Sequence, residues 1–456
     1  MQDPGFAGER PFWWKNARIE SDQSFASPPP ARVDTVVIGA GAAGLSAALH
    51  LASEGIETCV LDAGQVGGGA SSRNFGSLGA AVTLRYARNA ATFGPEVAAE
   101  RAKEDINAFR CVLDFLRTAP DACGLQATGC VFAALNEAQV RGLASALEAS
   151  RHLDFEPAEI LSRDALREHV RTDAYSGGLF LADAAEIDPG RYVEHLTQSV
   201  RAAGASLHSQ RAVNHIDGEA GALRVVGDGF SIAARRAIVA TNGYSYGLGG
   251  QVGDTLRRDL VPVQANMIAT AELPQDQITL AFAKPTMLSD MRRNFYCLRL
   301  SPDRKRILFA SRTGKRMSAE TRARMLSADI LGLFPQLDRF DVEFSWSGMI
   351  AMTRDRTPHA FVKDGVGYVA GCNGSGMVRH FYLGRQIAHL MTRPASMAKS
   401  QYATPVPQLP PLLPKAAAVA AVTALYDTLD RRAIAKRESE ACLERKLRPS
   451  GPLRQC

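Results

Sequence analysis

Residues 33–62 constrain the fold of this chain more than any other segment. They read as an apolar strand (Val33, Val36, Val37, Ile38), the turn Gly39-Ala40-Gly41-Ala42-Ala43-Gly44 and a helix (Leu45, Ala48, Leu49, Ala52). A second strand, Glu57 to Leu61, then ends on Asp62. A G-x-G-x-x-G turn alone says little, but strand, turn, helix, strand and acid together describe a dinucleotide-binding βαβ unit. Gly39 permits the tight turn off the strand, Gly41 lets backbone approach a pyrophosphate, and Gly44 lets the helix pack on the strand. The N–H groups around Ala43 and Gly44 carry about half a positive charge at the helix start, which suits phosphates. Asp62 stands where a carboxylate accepts hydrogen bonds from ribose hydroxyls.

The remaining composition sets outer limits. With 456 residues the chain exceeds what one core supports, so two domains are expected. The net charge of +6 is spread along the sequence, whereas nucleic-acid binding needs a focused patch, so no nucleic acid is expected. The densest basic stretch (Arg431, Arg432, Lys436, Arg437, Arg445, Lys446, Arg448) is interleaved with Asp430, Glu438, Glu440 and Glu444 and reads as a solvated helix face. The eight cysteines show no metal-like spacing, which points to reduced thiols, a cytoplasmic protein and no metal site. Met1-Gln2-Asp3-Pro4-Gly5 does not start a signal peptide, and the apolar run Ala416–Leu425 is too short for a transmembrane segment.

Along the chain, a linker (Ser27-Pro28-Pro29-Pro30) follows an arm carrying Phe12-Trp13-Trp14, aromatics expected to pack back onto the body. Helices are predicted over 96–118, 136–150 and 192–203, the last started by Asp188 and Pro189. Ala237–Ala240 reads as a buried strand entering the turn Thr241-Asn242-Gly243. Tyr368–Gly371 reads as another, followed by a helix through Leu390. Between them, alternating segments from Val261 to Phe309 predict an antiparallel sheet. The expected class is therefore α/β (α+β overall), a Rossmann-like domain interrupted by an antiparallel one. The expected divisions are an arm (1–32), a discontinuous cofactor domain (33–118, 185–248, 345–395), a β-rich substrate domain (119–184, 249–344) and a helical extension (396–456).

Which dinucleotide binds is decided just beyond Asp62. The run Gly67-Gly68-Gly69-Ala70-Ser71-Ser72-Arg73-Asn74 offers donors for a second phosphate and reaches toward a bulky ring, which an NAD unit does not need here. No second G-x-G-x-x-G follows a strand, and no redox cysteine pair is present. With Gly76, this run resembles FAD-dependent oxidoreductases of the D-amino-acid oxidase superfamily, particularly the gamma-glutamylputrescine oxidase-like branch. The likeness continues through Ile187-Asp188-Pro189-Gly190-Arg191, Val239–Gly243, Asp259–Val263, the Trp346-Ser347-Gly348 cluster with Thr353, Asp355 and Pro358, and Gly371–Met377 with Gly384. The resemblance implies a glutathione-reductase-type FAD fold. It adds Ala63, Ala70, Ser71, Ser72, Arg73, Asn74, Val213, Thr241, Gly243, Gly374, Ser375, Gly376 and Met377 to the cofactor contacts, the last block capping the flavin's pyrimidine edge. Two departures leave substrate identity open: the family's G-H-G is Gly374-Ser375-Gly376, and its R-N-G-G is Arg73-Asn74-Phe75-Gly76. Met349–Met352 holds no cysteine and 67–77 no histidine, so the FAD is expected to be noncovalent.

The family likeness implies oxidation of a C–N bond in an amine or amino acid. A hydride passes to flavin N5, the imine hydrolyses, and oxygen or a quinone reoxidises the cofactor. Catalytic candidates are Arg73, Tyr296, Arg299 and His380. Alternation places Tyr296 and Leu298 on one strand face with Cys297 and Arg299 on the other. Arg299 reads either as a carboxylate partner or as a solvated strand residue, and His380 either as a site residue or as an ordinary helical histidine. A dehydrogenase of a hydroxy acid or polyol, and a noncatalytic flavin subunit, stay open as alternatives.

Overall fold

In a computed structural model, residues 9–447 are described apart from 20–24, 26, 154, 156, 312, 313, 315, 394–399 and 411–413. Met1–Gly5, Arg448 and Cys456 of the sequence reading lie outside the described residues. The strand Arg32–Ile38 lies at the centre of the first sheet, parallel to Thr58–Leu61 on one side and to Phe230–Val239 on the other. Ser206–His208 and Val366–Ala370 extend the parallel set, and His359–Lys363 closes one edge antiparallel. Val36, Val37 and Ile38 are buried on both faces, which is why this strand reads as a continuous apolar run rather than an alternating one. The helices Ala42–Ser53 and Gly376–Thr392 pack together beside this sheet.

The second sheet also has eight strands, antiparallel except where Met287–Asp290 pairs with Cys130–Ala134. Its strand Val342–Met352 crosses the boundary expected at residue 345 and pairs along its length with Val261–Thr270. Alternation gives the sheet two distinct faces. Leu298 and Phe309 pack outward against Leu326, Ile330 and Leu333 of the helix Ala319–Leu333. Cys297, Leu308, Ala310 and Met267 face the other way, into the core they share with Val37, Leu45 and the aromatic arm.

That arm folds back as expected. Phe12, Trp13 and Trp14 are buried, with Phe12 edge-on to Phe344 of the second sheet. The helix Pro189–Ala202 starts as anticipated, the Asp188 carboxylate accepting from Gly190 N and Arg191 N at 2.9 and 3.1 Å. The helix Lys415–Leu447 docks through Asp430, which accepts from Arg293 N and Asn294 N, while Arg431, Arg432 and Lys436 point to solvent. Among the described residues no helix is long and apolar enough to cross a membrane.

Candidate active site

The glycine turn is built as its spacing requires. Gly39 has φ +100°, and a Cβ there would lie 2.9 Å from Ala240 O. A Cβ on Gly44 would sit 1.9 Å from Gly39 O, so only glycine brings the helix this close to the turn. Gly41 starts the helix with no side-chain cap, and the nearest neighbour of its missing Cβ is Ser71 Oγ at 3.1 Å. Ser71 Oγ accepts from Ala42 N at 2.9 Å, so this hydroxyl stands beside Ala43 at the positive end of the helix. Asp62 accepts from Ala40 N at 2.8 Å and Gly64 N at 2.9 Å, and burial raises its pKa. A half-buried carboxylate held by neutral donors suits ribose hydroxyls and disfavours a 2′-phosphate. Arg211 N donates to Asp62 O at 2.8 Å, bringing the start of the strand Val213–Glu219 alongside, while Ala63 is exposed next to the acid. These features fit the ADP half of FAD.

Beyond Asp62 the loop is held by all three tryptophans of the chain. Trp14 Nε1 donates to Ser72 Oγ at 3.0 Å, Trp346 Nε1 to Arg73 O at 2.9 Å and Trp13 Nε1 to Asn74 O at 2.8 Å. The loop's own side chains turn inward too. Ser72 Oγ donates to Gly67 O, and Asn74 Nδ2 donates to Ser71 O at 2.7 Å and contacts Met377 Sδ at 2.9 Å. Ser72 and Asn74 therefore act as scaffold through their side chains, leaving Ala70 and Ser71 at the loop's open edge.

Two further segments converge there. Asn242 (φ +45°) accepts from Gly371 N at 3.0 Å, fastening the Thr241–Gly243 turn to the Gly371–Met377 segment. A Cβ on Gly243 would press on Met349 O at 3.0 Å, whereas Gly374 (φ +85°) faces open space. Ser375 and Gly376 open the helix Gly376–Thr392 without a side-chain cap. Its first turn presents unpaired N–H groups, the arrangement that stabilises negative charge on a flavin's pyrimidine edge.

The sequence reading missed the groups behind Ser375. Arg85 Nη2 donates to Ser375 Oγ at 2.9 Å, and its Nη1 lies 3.3 Å from Asp105 Oδ2. Arg379 grips the same carboxylate through Nε at 2.8 Å and Nη2 at 2.5 Å, and Tyr402 donates to it at 2.7 Å. These partners hold the Asp105 carboxyl below its usual range despite burial, while burial and Arg379 lower Arg85. Two guanidiniums thus share the Asp105 carboxylate, and Arg85 is the one of them that reaches the open edge. A signal for Asp105 existed: it interrupts the apolar stripe Ala98, Ala102, Phe109, Val112 and Leu116 of the helix Pro95–Arg117. Arg85 and Tyr402 carried no local sign.

The four catalytic candidates fall in different surroundings, with Tyr296 and Arg299 on opposite faces of their strand as alternation requires. Tyr296 lies on the outer sheet face, edge-on to Phe309 at 5.0 Å and hydrogen-bonded to Asp329. Arg299 lies on the inner face but is neither solvated nor available. Its Nε sits 3.2 Å from Glu186 Oε2, and its Nη1 donates to Ile187 O at 2.8 Å and Phe75 O at 3.2 Å. Arg73 stacks 4.4 Å over Trp14 and donates to Gly68 O at 2.8 Å, which makes it part of the loop's clamp. His380 is buried, and burial together with Arg379 depresses it to about 4, so it is neutral at pH 7.

A dinucleotide-type glycine turn, a loop beside it clamped by three tryptophans and an antiparallel sheet sharing its core define a flavin-dependent oxidoreductase. The chain belongs to the FAD dependent oxidoreductase family, whose model matches residues 34–390. It is 26% identical over 375 residues to a probable oxidoreductase OrdL of Haemophilus influenzae, covering 80% of this chain and 85% of that protein. It is also 26% identical over 363 residues to gamma-glutamylputrescine oxidoreductase of Escherichia coli, covering 78% and 83%. Glycine oxidase from Geobacillus kaustophilus shares the fold, with a TM-score of 0.67 at 19% identity over 82% of this chain and all of that one. The cofactor is FAD, and the enzyme is of the amine and amino-acid oxidoreductase type.

Proposed function

We infer that the chain oxidises the C–N bond of a small amine or amino acid that carries a carboxylate. The observation behind this reading is the guanidinium of Arg85 at Ser375, on the Asp105 carboxylate it shares with Arg379. The relatives named for gamma-glutamylputrescine and for glycine support it. Bound FAD supplies the two-electron acceptor for the hydride that leaves the carbon next to nitrogen. The chain's own residues do the rest. Arg85 orients the carboxylate, because a guanidinium offers paired donors in a fixed fork. The start of the helix Gly376–Thr392 favours negative charge at the open edge. Neutral His380 adds no competing cation there. Phe12, Trp13, Trp14 and Trp346 exclude water behind the loop, strengthening these electrostatic effects. The amine reacts in its neutral form and needs no dedicated base, and water hydrolyses the imine to an aldehyde or oxo acid plus amine.

The test is anaerobic mixing of the holoprotein with amino acids, N-methyl amino acids, polyamine derivatives and 2-hydroxy acids while the flavin absorbance is followed. Bleaching by an amine bearing a carboxylate is the expected result. Bleaching by hydroxy acids alone would overturn the reading.

A further inference from the structure

The two helices whose first turns line the cofactor site also meet at their far ends, and a second site is assembled there. His50 and Glu54 sit one turn apart on and just after Ala42–Ser53, and both face His389 near the end of Gly376–Thr392. His50 Nε2 lies 3.3 Å from His389 Nδ1 and 3.3 Å from Glu54 Oε1. The ligand atoms of the three residues all lie within 4.8 Å of one another. In a tetrahedral zinc site, ligands about 2.0–2.1 Å from the metal stand about 3.3–3.4 Å apart. Both contacts of His50 Nε2 therefore match edges of a coordination tetrahedron. For an N–H donor the same 3.3 Å is beyond the usual hydrogen-bond range.

We propose that His50, Glu54 and His389 form a binding site for a divalent transition metal of the zinc class, separate from the flavin site. Two imidazoles and one carboxylate are the ligand set of open zinc sites and select against magnesium and calcium, which take oxygen ligands. His389 also lines a groove of about 510 Å³ together with Cys111, Tyr382, Arg110, Arg385 and Arg393, wide enough for water or a small ligand. Opposing the metal are Arg393, whose Nη2 lies 3.3 Å from Glu54 Oε1, and Arg385 nearby. Arg393 is exposed and can swing away as the carboxylate turns to the metal. The metal would clip the helix that follows the glycine turn to the helix that starts at Gly376, with no part in the oxidation itself.

The experiment titrates cobalt(II) into the tag-free, chelator-treated holoprotein and reads visible d–d absorption, with zinc as competitor. Expected are one equivalent of cobalt with the intense bands of four- or five-coordinate metal, displacement by zinc, and a rise in Tm with zinc. His389→Gln should weaken binding by at least about tenfold, and Arg393→Ala should tighten it by removing the competing guanidinium. Both variants should keep the flavin spectrum, which establishes that they fold. Weak octahedral bands only, or cobalt binding equally well to His389→Gln, would overturn the site. So would a zinc effect on Tm that persists in that variant.

Discussion

At the scale of single residues, side chains of the same kind are set apart by what holds them. Arg85 and Arg299 are both held by a carboxylate and by backbone carbonyl oxygen, Arg299 by Glu186 and Ile187 O, Arg85 by Asp105 and Ala80 O, but only Arg85 also reaches Ser375 at the open edge. Arg85→Ala should raise KM for the carboxylate-bearing substrate by about 10–100-fold, the equivalent of one charge-assisted hydrogen bond of about 1.5–3 kcal/mol. KM for the same amine lacking the carboxylate should barely change, and equal losses on both would refute the assignment. Folding should survive because Asp105 keeps Arg379 and Tyr402. His380 makes a different prediction. Its folded pKa of about 4 lies below the ordinary 6.5, so the folded state resists protonation. Its contribution to stability is complete above pH 6.5. As pH falls from 6.5 to about 4 the unfolded chain takes up the proton first, and about 3 kcal/mol is lost. Urea melts of the wild type and His380→Leu at pH 7 and pH 4 measure this, and a pH-independent difference between them would contradict it.

At the scale of elements, close approach explains the glycines. A Cβ on Gly384 would lie 2.1 Å from Ala43 O, so this residue lets the helix Gly376–Thr392 touch the helix Ala42–Ser53 along its backbone. Gly384→Ala must push the two apart, at a cost of about 1–3 kcal/mol by overpacking. Because Ala43 belongs to the glycine turn proposed to hold the pyrophosphate, FAD affinity should fall together with Tm. Unchanged flavin retention on dialysis would show the helices to be independent. The glycine turn, its flanking strands and the Asp188 cap were legible in the sequence because each depends on neighbours a few residues away. The alternation of Tyr296 and Arg299 was legible for the same reason, but not which face the arm and loop would cover. Asp105 and Arg379 are separated by 274 positions, and no local pattern announces their pairing. His50 and Glu54 show helical spacing, yet only the packing of two helices brings His389 to them.

At the scale of the whole molecule, the aromatic arm acts as a strap across the two sheets. The inner face of the second sheet presents Trp346 to the loop, the arm presents Trp13 and Trp14, and consecutive residues 72–74 receive their N–H groups. Arg73 and Arg299 lie over the indoles of Trp14 and Trp13 at 4.4 and 5.3 Å, so the strap also covers the cations that hold the loop. In this arrangement the arm, the loop and the second sheet hold one another by packing and hydrogen bonds. The thiol of Cys372 is buried and turned toward Ala351 O at 3.8 Å, consistent with a flavin that carries no covalent tether. Acid precipitation should therefore leave the flavin in the supernatant, and yellow pellets would contradict this. Cofactor retention should then depend on the strap. Trp13→Ala removes a fully buried indole, at a cost of about 3–5 kcal/mol, and frees Asn74 O and the Arg299 face at once. Trp14→Phe keeps most of the packing and loses the hydrogen bond to Ser72, at a cost of about 1 kcal/mol. The expected order of flavin loss on gel filtration is wild type, then Trp14→Phe, then Trp13→Ala, with Tm falling in the same order. A Trp13→Ala protein that melts lower but keeps its flavin in full would confine the arm to fold stability and separate it from the loop.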